Sequence, residues 1–116
     1  MKFSIIVAAY NVADYLEECV ESLANQNFPN DEYEVLIVDD GSTDGRTGML
    51  CNQLTSEFEV VRTIHKEHGW ISSARNTGLN YSHGHYLLFV DGDDFWNNRE
   101  FLNKLSSNIK SILVML

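Results

Sequence analysis

The run Phe3-Ser4-Ile5-Ile6-Val7-Ala8-Ala9 restricts the fold more than any other stretch of this chain. A strand with one face in water alternates apolar and polar residues. A nearly unbroken apolar run belongs instead to a strand covered on both faces, as in a parallel sheet held between helices. Similar runs occupy 34–38 and 86–90, and a weaker one occupies 60–64.

The gaps between these runs carry helical periodicity. Val12, Leu16, Cys19, Val20 and Leu23 fall on one face, with Asn11 placed as an N-cap and Pro29 beyond the helix end. A second helix over 45–58 is weakened by Gly45 and Gly48. A third, over 71–81, is expected to turn Ile71, Ala74, Gly78 and Tyr81 inward, and a fourth, over 98–112, has Phe101, Leu102, Leu105, Ile109 and Ile112 on one side. The order β-α-β-α-β-α-β-α implies right-handed parallel crossovers in a three-layer α/β/α domain with a mostly parallel, Rossmann-like sheet. At 116 residues and 44% apolar content, the chain suffices for one domain with a real core. The apolar end at 112–116 is read as the start of another buried element, so the domain is expected to be truncated.

A formal net charge of −9 argues against a nucleic-acid partner or an anionic membrane surface, which need clustered Lys and Arg. A phosphorylated small molecule stays open, because a bound cation reverses the local sign. Cys19 sits at a helical core position, and two cysteines make no disulfide scaffold, so a reducing compartment is expected. The apolar run after Lys2 is too short for a signal peptide or a membrane span. The expected location is therefore cytoplasmic, with the inner face of the membrane open to a longer protein.

Three strands run out into polar clusters: Tyr10-Asn11, then Asp39-Asp40-Gly41-Ser42-Thr43-Asp44, then Asp91-Gly92-Asp93-Asp94. Ligands bind at strand C-termini in open α/β sheets. Several carboxylates brought to one sheet edge call for a cation between them, and carboxylate oxygens suit Mg²⁺ or Mn²⁺. Residues two apart in a strand point the same way, so Asp91 and Asp93 can face one ligand while Gly92 permits close approach. Asp40 is placed as an acceptor for a ribose or base; the alternative is that Asp39 and Asp40 cap the following turn with Ser42 and Thr43.

Four ordered blocks resemble family 2 glycosyltransferases: residues 6–11, residues 26–29 followed by 34–44, the Gly69-to-Gly78 segment with Ala74-Arg75-Asn76, and 89–94 with its D-x-D motif. The resemblance implies a GT-A fold, a nucleotide-diphosphate sugar donor (a UDP-sugar above all), a divalent metal, inversion at the anomeric carbon, and a saccharide or lipid-linked acceptor, as in polysaccharide biosynthesis. By position, it implies that Ala8 and Tyr10 border the nucleotide and that Asp40 holds the base or ribose. Arg75 would lie near the diphosphate, or else form a structural ion pair. Asp91, beside Gly92, would contact the ribose or donor sugar, and Asp93 would coordinate the metal. No residue matches the family's general base, whose half, with the acceptor site, is absent from this chain.

Trp70 is read either as a pocket wall or as a loop aromatic, and His65, His68, His83 and His85 as surface or loop residues. Two other classes compete. A non-catalytic nucleotide-sugar-binding module would need an ordered, buried C-terminus. A receiver-like phosphoacceptor domain would need an acid pair after the first strand, where Ala9-Tyr10-Asn11 stands. A dinucleotide-dependent dehydrogenase lacks its G-x-G-x-x-G.

Overall fold

The computed structural model describes residues 1–115, with side chains through residue 109. Its elements are β1 (Phe3–Ala9), α1 (Ala13–Ala24), β2 (Tyr33–Asp39), α2 (Thr47–Glu57), β3 (Val61–His65), α3 (Trp70–Tyr81), β4 (Tyr86–Asp91) and α4 (Phe101–Met115). The four strands are all parallel, in the order β3-β2-β1-β4. The chain builds outward from β1 to β3, then α3 carries it back over the other face to start β4 on the far side of β1. This reversal parts the loops after β1 and β4, which is where an open α/β sheet forms a ligand crevice. The register sets Ala9 beside Asp39, Asp39 beside His65, and Ala8 beside Asp91, so all four strand ends form one row.

The expected double coverage of the sheet is present. Phe3, Ile5, Val7 and Ala9 of β1, with Val35 and Ile37 of β2, face Leu16, Cys19, Val20 and Leu23 of α1, Cys51 and Leu54 of α2, and Leu102 of α4. Each fully buried aliphatic side chain contributes roughly 1.5–3 kcal/mol. On the other face Ile6, Leu36 and Val38 meet Ala74 of α3. That helix seats itself through small residues: a Cβ on Gly78 would lie 2.4 Å from Ile6 Cγ2. Close seating narrows its buried stripe to Ala74 and Gly78, so Ile71 and Tyr81, expected inward, are 48% and 57% exposed.

Two further expectations change. Asn11 does not cap α1, whose side-chain cap is missing at Val12. Its backbone is left-handed at φ 52°, a region Asn tolerates, and its Oδ1 instead accepts the N–H groups of Thr43 (2.8 Å) and Asp44 (3.2 Å). The weak second helix starts at Thr47, past Gly45, and is held by Asp44, whose Oδ1 accepts the Arg46 and Thr47 N–H groups. In α4, Leu102 is buried while Phe101 is 38% exposed and packs on Trp96. Ile112 and the apolar end at 112–116 lie outside the described side chains.

A buried acid ties the opposite end of the sheet together. Glu34 accepts Ser4 Oγ (2.6 Å), Arg62 Nε (2.9 Å) and the His83 N–H (2.7 Å), and so pins the turn before β4. Burial alone would raise its pKa, but the Ser4, His83 and Arg62 hydrogen bonds outweigh it and hold the carboxyl below its ordinary value of 4.5. Its contribution is therefore complete above that value and disappears as pH falls through the lowered folded-state pKa. In urea denaturation at pH 7, Glu34→Ala should cost about 2–4 kcal/mol by stranding buried donors. Wild-type stability should also fall more steeply than the variant's on acidification below pH 4.5. Gly78→Ala should cost about 1–3 kcal/mol by overpacking against Ile6, read as a lower denaturation midpoint.

Candidate functional site

A cleft of about 330 Å³ opens between the ends of β1 and β4, with Ala8, Tyr10, Asp40, Asp91, Gly92 and Asp93 on its walls, joined by His68, Trp70 and Ala74. Of the residues picked from sequence, only Arg75 stands outside this lining. It sits at the rim, its guanidinium 3.9 Å from an Asp91 oxygen and 5.7 Å above the Phe89 ring. That pair is half-exposed on both sides, which leaves the guanidinium open to other anions.

The acidic wall is a turn and not, as expected, a pleated strand. The strand ends at Asp91, and the Asp94 N–H folds back onto the Asp91 carbonyl at 3.0 Å. The turn gathers Asp91, Asp93 and Asp94, each offering a carboxylate oxygen, with all three oxygens within 4.8 Å of one another. Asp94 thus joins the two acids of the motif. Gly92 is required by its crossing: its N–H bonds the Ala8 carbonyl (3.0 Å), and a Cβ there would meet Val12 Cγ2 at 2.9 Å. Three hard oxygen donors at a cleft mouth form a set that Mg²⁺ or Mn²⁺ accepts, with further positions left for phosphate oxygens.

Their field is felt beneath the strand. Cys19, buried under Asp91 with its Sγ 3.7 Å from the Asp91 carbonyl oxygen, has its thiol pushed up to about 12 by burial and then by Asp94, Asp93 and Asp91. Cys51 reaches about 12 through burial and the charge of Asp39. Both cysteines are free and buried. Neither should react with iodoacetamide at pH 8 in the native state, and both should be labelled in urea, as counted by mass spectrometry.

The opposite wall is organised by Asp40, whose side chain is 5% exposed. Its Oδ1 accepts Lys66 Nζ (2.8 Å) and the Gly69 N–H (2.9 Å), while Oδ2 lies 3.0 Å from His68 Nδ1. Burial pushes the carboxyl upward, but the Lys66 and Gly69 hydrogen bonds prevail and hold it low. Asp39 turns away from the cleft, accepting the Ser42 N–H and pairing with His65 at 2.8 Å. The two readings of the aspartate pair are therefore divided, with Asp39 in the turn and Asp40 at the cleft. Sequence reasoning overlooked Lys66 and set aside His68, which stacks on Tyr10 with ring centroids 4.2 Å apart. A basic residue and a histidine in a loop carry no periodic signal. Only the turn over Asp40 makes them part of the wall.

A parallel sheet with an acid-lined crevice at its strand reversal places the chain among the open α/β folds that take ligands at their strand C-termini. The family model described as glycosyl transferase family 2 matches residues 4–112, and the chain belongs to that family. It is 38% identical over 108 residues to glycosyltransferase GlyA of Streptococcus pneumoniae, covering 93% of this chain and 15% of that protein. It is 41% identical over 98 residues to the uncharacterized glycosyltransferase EpsJ of Bacillus subtilis, covering 84% of this chain and 28% of that protein. Among solved structures, S. aureus TarS 1–349 in complex with UDP-GlcNAc superposes with a TM-score of 0.86 at 37% identity, over 96% of this chain and 32% of that one. The mannosyltransferase PcManGT of Pyrobaculum calidifontis, in complex with GDP-Man and Mn²⁺, gives 0.81 at 29% identity, over 87% and 30%. The fold is that of the GT-A glycosyltransferases. The chain spans less than a third of the length of each of these four proteins.

Proposed function

We propose that these residues form the donor-binding part of an inverting, metal-dependent glycosyltransferase. It takes a nucleotide-diphosphate sugar, a UDP-sugar in the first place, and passes the sugar to a hydroxyl of a saccharide or lipid-linked acceptor. The observation that carries this reading is the gathering of the Asp91, Asp93 and Asp94 carboxylates beside a cleft lined by Asp91 and Asp93 on one side and by Tyr10 and Asp40 on the other. One end of that cleft suits a base and ribose, and the other a diphosphate. The names of TarS, bound to UDP-GlcNAc, and PcManGT, bound to GDP-Man and Mn²⁺, support a nucleotide sugar and a divalent ion.

In this reading Ala8 leaves room for the nucleoside and Tyr10 offers a ring face to the base. Asp40, kept ionised by Lys66, accepts a donor hydrogen bond from the base or ribose. Asp91 orients the ribose or the donor sugar beside Gly92. Asp93 is the principal ligand for Mn²⁺ or Mg²⁺, with Asp91 and Asp94 within reach. When bound, the ion supplies Lewis-acid neutralisation of the departing diphosphate. Arg75, paired only at 3.9 Å with Asp91, is free to add a second positive charge at the rim. The acceptor site and the general base are assigned to sequence outside these residues, in keeping with the small share of its relatives that the chain spans.

We place the enzyme in the cytoplasm, at the inner face of the membrane in a longer protein. Two free thiols suit a reducing compartment. No helix among the described residues is long and apolar enough to cross a membrane.

Calorimetric titration with UDP, GDP, dTDP and UDP-sugars, with and without Mn²⁺, tests the donor site. One nucleotide should bind in a metal-dependent way, and Asp93→Ala should weaken it by about tenfold or more. If no nucleotide binds, either to this chain or to a protein spanning the relatives' full length, the proposal is wrong.

A further inference from the structure

We propose that the His68 imidazole occupies the place of the donor's nucleobase and is displaced when a nucleotide binds, an inference that rests on the donor-site reading above. His68 makes both contacts that a base at this position would make. Its ring lies on that of Tyr10, with centroids 4.2 Å apart and planes inclined by 29°. Its Nδ1 stands 3.0 Å from Asp40 Oδ2 and 3.1 Å from the Asp40 carbonyl oxygen. Two rings that sandwich a third stand about 7 Å apart, twice an ordinary stacking distance. At 4.2 Å nothing fits between them, so this face of Tyr10 is already taken.

Asp40 offers an incoming base no easier route. Its Oδ1 is engaged by Lys66 Nζ and the Gly69 N–H, which leaves Oδ2, the oxygen His68 faces. A ring N–H aimed at Asp40 therefore competes with His68 for one oxygen as well as for one stacking face.

The surroundings let the ring leave while its loop stays. The backbone on both sides is clamped: the Lys66 N–H bonds the Asp39 carbonyl, the Gly69 N–H bonds Asp40 Oδ1, and a Cβ on Gly41 would meet the His68 backbone nitrogen at 2.6 Å. The side chain itself is 30% exposed. Beyond Gly69, Trp70 is held at φ +71°, a left-handed conformation unusual for a bulky residue; the residue is 74% exposed and its ring lies 4.6 Å from that of His68. Rotation of the His68 side chain exchanges Tyr10 and Asp40 Oδ2 for solvent while Lys66 and Gly69 keep their clasp on Asp40 Oδ1.

A site filled by its own side chain binds more weakly in proportion to the time it stands open. His68→Ala should therefore bind UDP, or GDP if that is the nucleotide accepted, about three- to tenfold tighter than wild type in calorimetric titrations with MnCl₂. Tyr10→Ala, which removes the stacking face itself, should bind more weakly. In wild-type protein labelled at histidine, saturation with the same nucleotide should move the His68 ring signals away from the values set by the Tyr10 ring. This second readout decides the matter should circular dichroism show that His68→Ala does not fold. Equal or weaker binding by a folded His68→Ala, or His68 signals that stay in place, overturns the inference and makes His68 a fixed wall of the pocket, leaving the donor site intact. If neither wild type nor His68→Ala binds UDP or GDP with Mn²⁺, the inference falls together with the donor-site reading.

Discussion

The burial of β1 on both faces is the constraint from which the rest follows. Phe3, Ile5, Ile6, Val7 and Ala9 are almost fully excluded from water, so β1 needs a strand on each side and helices above and below. Parallel neighbours with crossover helices meet that need, and parallel strands end together. The row of strand ends is thus a by-product of covering an apolar strand, and whatever polar residues follow the strands are delivered to one edge. Asp91, Asp93 and Asp94 are among them, gathered at one turn with carboxylate oxygens within 4.8 Å of one another.

The two ends of the sheet use buried carboxylates differently. Glu34, at the N-terminal end, is satisfied by Ser4, Arg62 and His83 and locks the turn that launches β4. Asp40, at the C-terminal end, gathers Lys66, His68 and Gly69 and shapes a loop that lines the cleft. Both are held ionised by their partners, yet of the two only Asp40 lines the acid-walled cleft. The same physical device fixes a fold in one place and a binding wall in the other.

The small residues of α3 matter beyond stability. Ala74 and Gly78 let that helix sit directly on β1 and β2, so Ala74 reaches the floor of the cleft and Arg75, one residue on, reaches its rim. A bulkier stripe would lift the helix and remove Arg75 from Asp91. Seating depth therefore links a packing detail to the electrostatics of the site.

Much of this was legible in the residue order. Unbroken apolar runs mark strands buried on both faces, and periodicity marks α1 and α4, because burial leaves its period in the chain. The acids of the cleft were legible because they follow those strands. Side-chain contact across the sheet edge leaves no such trace. That Asn11 bridges two loops instead of capping α1, that Asp39 turns to His65 while Asp40 turns to the cleft, and that Asp94 joins Asp91 and Asp93 through a turn are all settled by loop geometry. The engagement of Lys66 and His68 with Asp40 joins residues 26 and 28 positions apart. Residue order alone set the layers, the strand edge where the cleft lies and the acids that follow the strands there. Only the tertiary structure decided which of those side chains meet, because distance in space is set by the crossovers and not by separation along the chain.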